Sequence, residues 1–521
     1  MSSISRSRSA FWGTVSSQVF TIITMLVAIV STPLMVRFLD KEAYGLSIIF
    51  FQIINYLSLF DFGLSTAVNR ALALHRGDDD YNRGMVNRIV STGVFTGAFF
   101  GLLVTIGGSI FAPFVPELFN LRSDLAAPTV PIVITLSLLV GGQLAQRGFA
   151  GIFYAHHRQP LVGTPYFIIG NVGTGLTILL LSRGVGLWAF AYVNAFQFLA
   201  NLLVQVWLLR RYYPDLRVKL SLYDQVLMKS MMSYGIFMFL HGIATQIILF
   251  TDRLVIGKVL SLSLVTIFSI TVRIPEVGMT LLSSITGNAL PAVAEIVVHE
   301  GPESAKKHFK RMMILMVSLS MMAFWLMLSL DQWFIDLWVG NDFFAGNYIL
   351  LLALVIMVQQ TITRTGSFFL DAKGVVRGSS VVALVEAGLN LAISITLGKM
   401  FGMSGILWGT IIAALLTSFW YTPFLLKKHL GIPIYEFVFE SLLKPVIGIS
   451  VLGAAVYWLV NWLHRPALSG WIPFFFVAAC AGLLMAAVVW IVYLRHSMGQ
   501  YVPARLRRYL LLPPLSVPVV G

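Results

Sequence analysis

The sequence predicts an all-α polytopic membrane protein of about 14 transmembrane helices, built as two parallel six-helix bundles followed by two C-terminal helices. Three observations carry this reading. Of the 521 residues, 58% are hydrophobic and 11% charged, with a mean hydropathy of +0.85, whereas soluble domains carry about 25% charged residues. The apolar runs reach the roughly 20 residues a helix needs to cross a bilayer, about twice the length of a membrane β-strand. Landmarks of the first half also return in the second at a nearly constant offset. These features exclude a soluble enzyme, a secreted scaffold and a nucleic-acid module. The net charge of +14 then belongs to loops that orient the chain. The single cysteine, Cys480, allows no intrachain disulfide.

The runs fall near 11–37, 43–70, 89–115, 128–155, 161–182 and 186–210, then near 230–258, 264–294, 312–339, 347–371, 379–398 and 405–426, with two more near 444–463 and 472–494. The basic stretch SISRSRSA precedes a first run too long for the 7–15-residue core of a cleavable signal peptide, so it is expected to remain as a span. With the N-terminus inside, 25 of the 36 Lys and Arg lie in cytoplasmic segments and 7 in outer ones. Both termini are therefore expected in the cytoplasm. The expected organisation is an N-terminal six-helix bundle at 1–211, a cytoplasmic linker at 212–229, a C-terminal six-helix bundle at 230–428, and a two-helix appendage with a basic cytoplasmic tail at 429–521.

The repeat rests on ordered matches. WLLRRYYPDL closes the sixth run and PFLLKKHLGI the twelfth, which sets Arg210-Arg211 opposite Lys427-Lys428 at an offset of 217. The same offset lays Gln143 on Gln360, Arg147 on Arg364 and Ala155 on Ala372. Parallel repeats imply a pseudo-two-fold along the membrane normal, with a substrate path between the halves.

Polar groups inside apolar runs mark the candidate site. Thr14, Ser17, Thr21, Thr24, Ala28 and Ser31 share a face of the first span, and Thr266, Ser269, Arg273, Glu276, Thr280, Ser283 and Gly287 a face of the eighth. Small-residue helix packing is the plain alternative for both stripes. Each charge at the centre of a span costs about 2.5–3.5 kcal/mol on insertion scales. Arg147, Arg253, Arg273 and Arg364 are such charges, as are Asp61, Asp252, Glu276 and Glu386. Arg273 and Glu276 stand at i, i+3, so a structural ion pair is the alternative there. Arg147 and Arg364 have no acid within one turn. They sit roughly 12–14 Å from the cytoplasmic ends of their helices, and Arg253 and Arg273 lie in outer halves. Guanidinium groups bind phosphate oxygens bidentately, so cations at two depths suit a phosphate-bearing cargo. The candidate cavity set is Arg147, Arg364, Arg253, Arg273, Gln143 and Gln360. His241, His156-His157 and the acidic run Asp78–Asp80 read as packed or solvated residues, and no metal-ligand spacing or nucleophile motif is found.

FLDKEAYGL after the first span, DFGLSTAVNR (Asp61–Arg70) closing the second and TDRLVIGKVL (Thr251–Leu260) closing the seventh resemble the polysaccharide-transporter branch of the multidrug/oligosaccharidyl-lipid/polysaccharide exporter superfamily. The resemblance covers nearly the whole chain and implies a MATE-like fold with a cationic central cavity. The implied function is an O-antigen-type flippase moving undecaprenyl-pyrophosphate-linked oligosaccharide units to the outer leaflet of the bacterial inner membrane. Asp61, Arg70, Asp252 and Arg253 carry over as cavity or gate positions, with Glu276 added for charge balance. No catalytic group and no cofactor are implied beyond a coupling ion, H+ or Na+. The implied partners are the lipid-linked oligosaccharide, membrane lipids, a polysaccharide polymerase and a chain-length regulator, with no nucleic acid. A cation-coupled drug or metabolite exporter, a lipid II flippase and a membrane polymerase or ligase are the alternatives. The first span lacks the acid of the drug branch, and a polymerase is expected to carry a large outer loop.

Reporter fusions at Arg76, Lys219, Lys306, Lys373 and Lys428 are expected to report cytoplasm, and those at Arg122, Arg183 and Lys399 the outer side. A cytoplasmic signal at Lys399 removes the eleventh crossing and the repeat with it.

Overall fold

The computed structural model describes residues 3–75, 80–155, 158–295, 301–463 and 470–495. His156, His157, Asp78, Asp79, the side chains of Asp80 and His241, and the basic tail lie outside what is described. Among the described residues all regular structure is helical. The chain forms two compact units, Met1–Thr266 and Ile267–Gly521.

The first unit contains α1 (Ser3–Phe38), α2 (Lys41–Ser58), α3 (Leu64–Leu74), α4 (Asp80–Phe111), the short α5 (Val115–Leu118), α6 (Ser123–Ala155), α7 (Gln159–Ser182), α8 (Trp188–Tyr212) and α9 (Gln225–Val259). FLDKEAYGL proves to be a helix start: Asp40 caps α2 by accepting from Ala43 N at 2.7 Å. Arg122 gathers Asp40, Glu42 and Asp124 around one guanidinium at 2.6, 3.1 and 3.3 Å. Burial works against the Asp40 carboxylate, yet the Ala43 N–H and Arg122 still hold it below its ordinary value. Helices α4 and α6 pack closely along much of their length. A Cβ on Gly101 would stand 2.1 Å from Gly141 O, and one on Gly97 2.6 Å from Leu144 O, so backbone lies directly on backbone. Lipid tails give no hydrophobic drive for helices to associate, so such close van der Waals contact does it instead.

The division between units falls at Thr266/Ile267 rather than in the 212–229 linker, because α9 packs on α2, α3 and α4. Asp224 caps α9, accepting from Val226 N at 2.9 Å and Leu227 N at 3.1 Å, and pairs with Arg88 of α4. The Leu227 N–H, then the Val226 N–H and Arg88, outweigh desolvation and hold its carboxyl below the ordinary range. A lowered carboxyl stabilises above its unfolded pKa, and that contribution is lost as pH falls through the folded one.

The second unit holds α11 (Arg273–Glu295), α12 (Pro302–Trp338), α13 (Asn347–Ala372), α14 (Val376–Leu416), α15 (Ser418–Leu430), α16 (Lys444–Leu463) and α17 (Trp471–Val489); α10 (Leu262–Thr271) contains the boundary. Its core is a stripe of α12, Phe309, Met313, Val317, Met321 and Phe324, against Leu350, Leu354 and Met357 of α13 and Ile449, Val456 and Val460 of α16. The two C-terminal helices are thus docked on α12. Lys306 bonds Glu436 at 3.1 Å, Lys310 pairs with Glu440, and Trp325 Nε1 donates to Ser450 Oγ at 3.2 Å.

Among the described residues ten helical stretches are long and apolar enough to cross a membrane, and α10 with α11 makes eleven as one bent pair. Three further features account for the expected fourteen. Gly378–Leu430 folds back on itself at Gly402, where φ is 64°. The second span is divided into α2 and α3, and α9 is the seventh. The eighth span bends by 51° at Val272, so its polar stripe does not share one straight face as the periodicity predicts.

Candidate functional site

The break in the second span builds the centre of the first unit. Between Ser58 and Leu64 the chain turns through Phe62 at φ 49° and Gly63 at φ 73°. A side chain in that left-handed region is strained, and glycine is the residue that adopts it freely. The Phe62 ring is held by Phe100 of α4 and Phe239 of α9, 4.7 and 4.5 Å between centroids. Breaking a helix leaves carbonyls at the end of one piece and N–H groups at the start of the next, and lipid answers neither. Asp61 Oδ1 accepts from Gly63 N at 2.9 Å and Oδ2 from Ser65 Oγ at 2.8 Å. Arg147 Nη1, reaching from α6, donates to Ser58 O at 2.9 Å and to Asp61 Oδ2 at 3.0 Å. DFGLS is therefore a turn motif that positions a carboxylate for Arg147.

Arg147 and Asp61, separate candidates in the sequence, thus form one ion pair, with side-chain exposures of 36% and 17%. The guanidinium keeps an open side. Gln143 lies one turn away on α6, partly buried, and Tyr154 is exposed two turns on. Asp252 and Arg253 are buried in α9, beside Thr251, whose hydroxyl bonds Tyr56 OH of α2. Arg70 lies on an exposed part of α3.

In the second unit Arg364 stands alone by comparison. Its one hydrogen bond among the described residues runs from Nη1 to Ser283 Oγ of α11 at 3.5 Å, and it has no ion pair there. Gln360 is buried one turn before it. Arg273 opens α11 directly after the bend, and Glu276 follows in the first turn. Glu386 of α14 answers a second break: Thr417, at φ −124° and ψ −94°, donates its hydroxyl to Glu386 Oε2 at 3.1 Å. The Ser418 N–H and hydroxyl, at the start of α15, bond the same carboxyl.

The repeated contacts also refine the register. Gln146 Nε2 donates to Phe198 O and Gln359 Nε2 to Ile411 O, both at 3.4 Å and both 52 residues apart. This match sets the halves 213 residues apart, one helical turn short of 217, although the helix ends Ala155 and Ala372 keep the longer offset. By contact, Arg147 corresponds to Gln360 and Arg364 to Gly151. The two arginines occupy neighbouring turns of equivalent helices.

Asp331 was absent from the sequence-derived candidates. It is 2% exposed in α12, and neither carboxyl oxygen has a hydrogen-bond partner among the described residues. An unpartnered buried carboxyl is among the costliest placements a membrane helix can hold. The signal lay in the seven-residue spacing of Val317, Phe324, Asp331 and Trp338, all buried, which runs an acid through an apolar stripe.

Asp61→Ala removes the acceptor for three donors. It is expected to destabilise the detergent-solubilised protein by about 1–3 kcal/mol, read as a lower thermal midpoint, with Asp61→Asn intermediate. A D61A variant that melts with the wild type ends the capping assignment.

The profile of a family described as "Polysaccharide biosynthesis protein" matches residues 12–297. A Shigella flexneri protein named for O-antigen transport is 20% identical over 379 residues, 71% of this chain and 84% of that protein. The Bacillus subtilis (strain 168) membrane protein EpsK is 23% identical over 462 residues, 84% of this chain and 86% of its own. Among solved structures, the inward closed form of the lipid II flippase MurJ aligns with a TM-score of 0.69 at 13% identity, covering 91% of this chain and 98% of that one. An inward-facing multidrug resistance MATE family transporter of the MOP superfamily aligns at 0.64 and 14% identity, covering 78% and 95%. These two establish the fold, and the profile, extending over more than half of the chain, establishes the family. The chain is a multi-pass membrane protein that belongs to the polysaccharide biosynthesis family.

Proposed function

We propose that this transporter is a flippase for undecaprenyl-pyrophosphate-linked oligosaccharide repeat units. It moves them from the cytoplasmic to the outer leaflet of the bacterial inner membrane by alternating access, for assembly of O-antigen, capsule or exopolysaccharide. Both termini face the cytoplasm in this reading, and a polysaccharide polymerase and chain-length regulator act on what it delivers. The observation that carries the proposal is Arg364, a guanidinium inside a span with one long hydrogen bond and no ion pair among the described residues. A charge kept at such expense without a carboxylate suits a cargo that brings its own negative charge. Family membership supports a glycan as the rest of that cargo.

Arg147 and Arg364 take different parts in this scheme. Arg364 offers an unneutralised fork to phosphate oxygens. Arg147 is already satisfied by Asp61 and Ser58 O, so the pyrophosphate must compete with Asp61 for it. Binding cargo at Arg147 and holding the break of the second span are then alternative uses of one side chain. Arg253, Arg273, Gln143 and Gln360 complete the proposed cargo-binding set, with Asp252, Glu276 and Arg70 balancing charge. The coupling ion, H+ or Na+, is assigned to Asp331, a buried carboxyl with unused acceptor capacity among the described residues.

The Arg147/Arg364→Ala double variant is expected to lose substrate-dependent glycan display at unchanged membrane-inserted protein. The Arg→Lys singles should lose it in part, because an ammonium is a point charge without the bidentate fork. Normal display in the double variant rejects the cargo role, and protein lost in step with display assigns both residues to bracing.

Asp331→Asn is expected to leave insertion intact and to abolish the dependence of flipping on an imposed proton or sodium gradient in proteoliposomes. Unchanged gradient dependence removes Asp331 from coupling.

A further inference from the structure

A second cationic site lies in the first unit, away from the break in the second span. A cavity of about 260 Å³ opens where the end of α3, the start of α4, Ile152 near the end of α6, Arg158 just before α7 and the end of α8 meet. Its apolar lining is Val86, Ile152 and Leu216, and its polar lining includes His75, Arg83, Asn87, Arg158, Tyr212 and Tyr213. The charge bias of the sequence puts this end of the unit at the cytoplasmic surface.

Two walls of the pocket are tied together by hydrogen bonds. The segment after α8 is strapped along α4. Arg217 N donates to Asn87 Oδ1 at 2.9 Å, Lys219 N to Ser91 Oγ at 3.2 Å and Asp224 N to Thr92 Oγ1 at 3.1 Å, and Arg88 pairs with Asp224. The Arg158 guanidinium lies over the rings of Tyr212 and Tyr213, 5.4 and 5.7 Å from their centroids. Stacking uses a face of the guanidinium and leaves N–H donors at its edge. Neither Arg83 nor Arg158 has an ion pair among the described residues, although Asp215 lines the same cavity. Two arginines, a histidine and Tyr212 around one small cavity at an interfacial depth match a compact phosphate group.

From this arrangement we infer that the cavity binds a phosphate-bearing group at the cytoplasmic face, separate from the site proposed for the transported cargo and not dependent on it. The chemistry is shared by an anionic phospholipid headgroup and by a water-soluble phosphate. A purely structural role also exists for Arg158, since the C-terminal ends of α3, α6 and α8 converge there and favour a cation.

The test uses the full-length protein in detergent, titrated with short-chain phosphatidylglycerol, short-chain phosphatidylcholine or inorganic phosphate and read by native mass spectrometry and thermal midpoint. Phosphatidylglycerol is expected to bind and raise the midpoint where phosphatidylcholine does not, and R83A/R158A to weaken that binding about tenfold or more. A shift of the same size from inorganic phosphate alone, also lost in R83A/R158A, supports the inference with a soluble phosphate as the ligand. Equal binding by wild type and variant, or no preference for the anionic species, overturns it. If R83A/R158A does not fold, a photoactivatable phosphatidylglycerol on the wild type decides. Label on peptides carrying Arg83 or Tyr212–Leu216 supports the site, and label only elsewhere overturns it.

Discussion

The first unit is organised around one contact set: Arg147 holding Asp61 and the carbonyl of Ser58 at the point where the second span is broken. A continuous helix satisfies its own backbone in lipid, and a broken one does so only with help from side chains. Asp61 supplies acceptors for the incoming helix and Arg147 a donor for the outgoing one. The turn, the charge pair and the mutual placement of α2, α3 and α6 are consequences of that single requirement. A guanidinium that looks like an expensive ornament in the sequence is what allows the helix to stop and restart.

The second unit meets the same requirement with different chemistry. At Thr417 the break is served by Glu386 together with the Thr417 hydroxyl and Ser418, and Arg364 is not drawn into it. The halves share helix order and the glutamine-to-carbonyl contact, yet one spends its arginine on a neighbouring carboxylate and the other leaves it with a hydroxyl. The two halves match in this contact, while their arginines stand one turn apart in the matched register.

Much of this was legible in the sequence, because hydropathy over 20 residues is a strong and local signal. The fourteen runs, the MATE-like architecture and the family follow from run length and from three motifs. The motifs named the right places for reasons visible only in three dimensions. FLDKEAYGL is a capped helix start, DFGLS a left-handed turn with its carboxylate, and Thr251 of TDRLVIGKVL bonds Tyr56. The breaks at residues 59–63, 272 and 417 were hidden because apolar composition continues across them, and hydropathy does not register a dihedral angle. The Arg147–Asp61 pair spans 86 positions, so spacing rules confined to one helix had no access to it. The offset of 217 matched letters, whereas the contacts repeat at 213, since an inserted turn leaves helix ends in place while shifting what touches inside. Asp331 is legible only as an acid at seven-residue spacing within an otherwise apolar stripe, whose hydropathy masks it.

The backbone-on-backbone seam between α4 and α6 has a mechanical meaning. Helices separated by side chains slide past each other through changes of rotamer, but Gly97 and Gly101 leave nothing between α4 and the carbonyls of Leu144 and Gly141 that could rearrange. The two backbones are fixed against each other along this seam. Arg147 rides on α6, and the strap carrying Arg217, Lys219 and Asp224 is tied to α4. Any displacement of α6 that drew Arg147 away from Asp61 would therefore carry the strap on α4 with it, so that a load on the strap would reach the break in the second span.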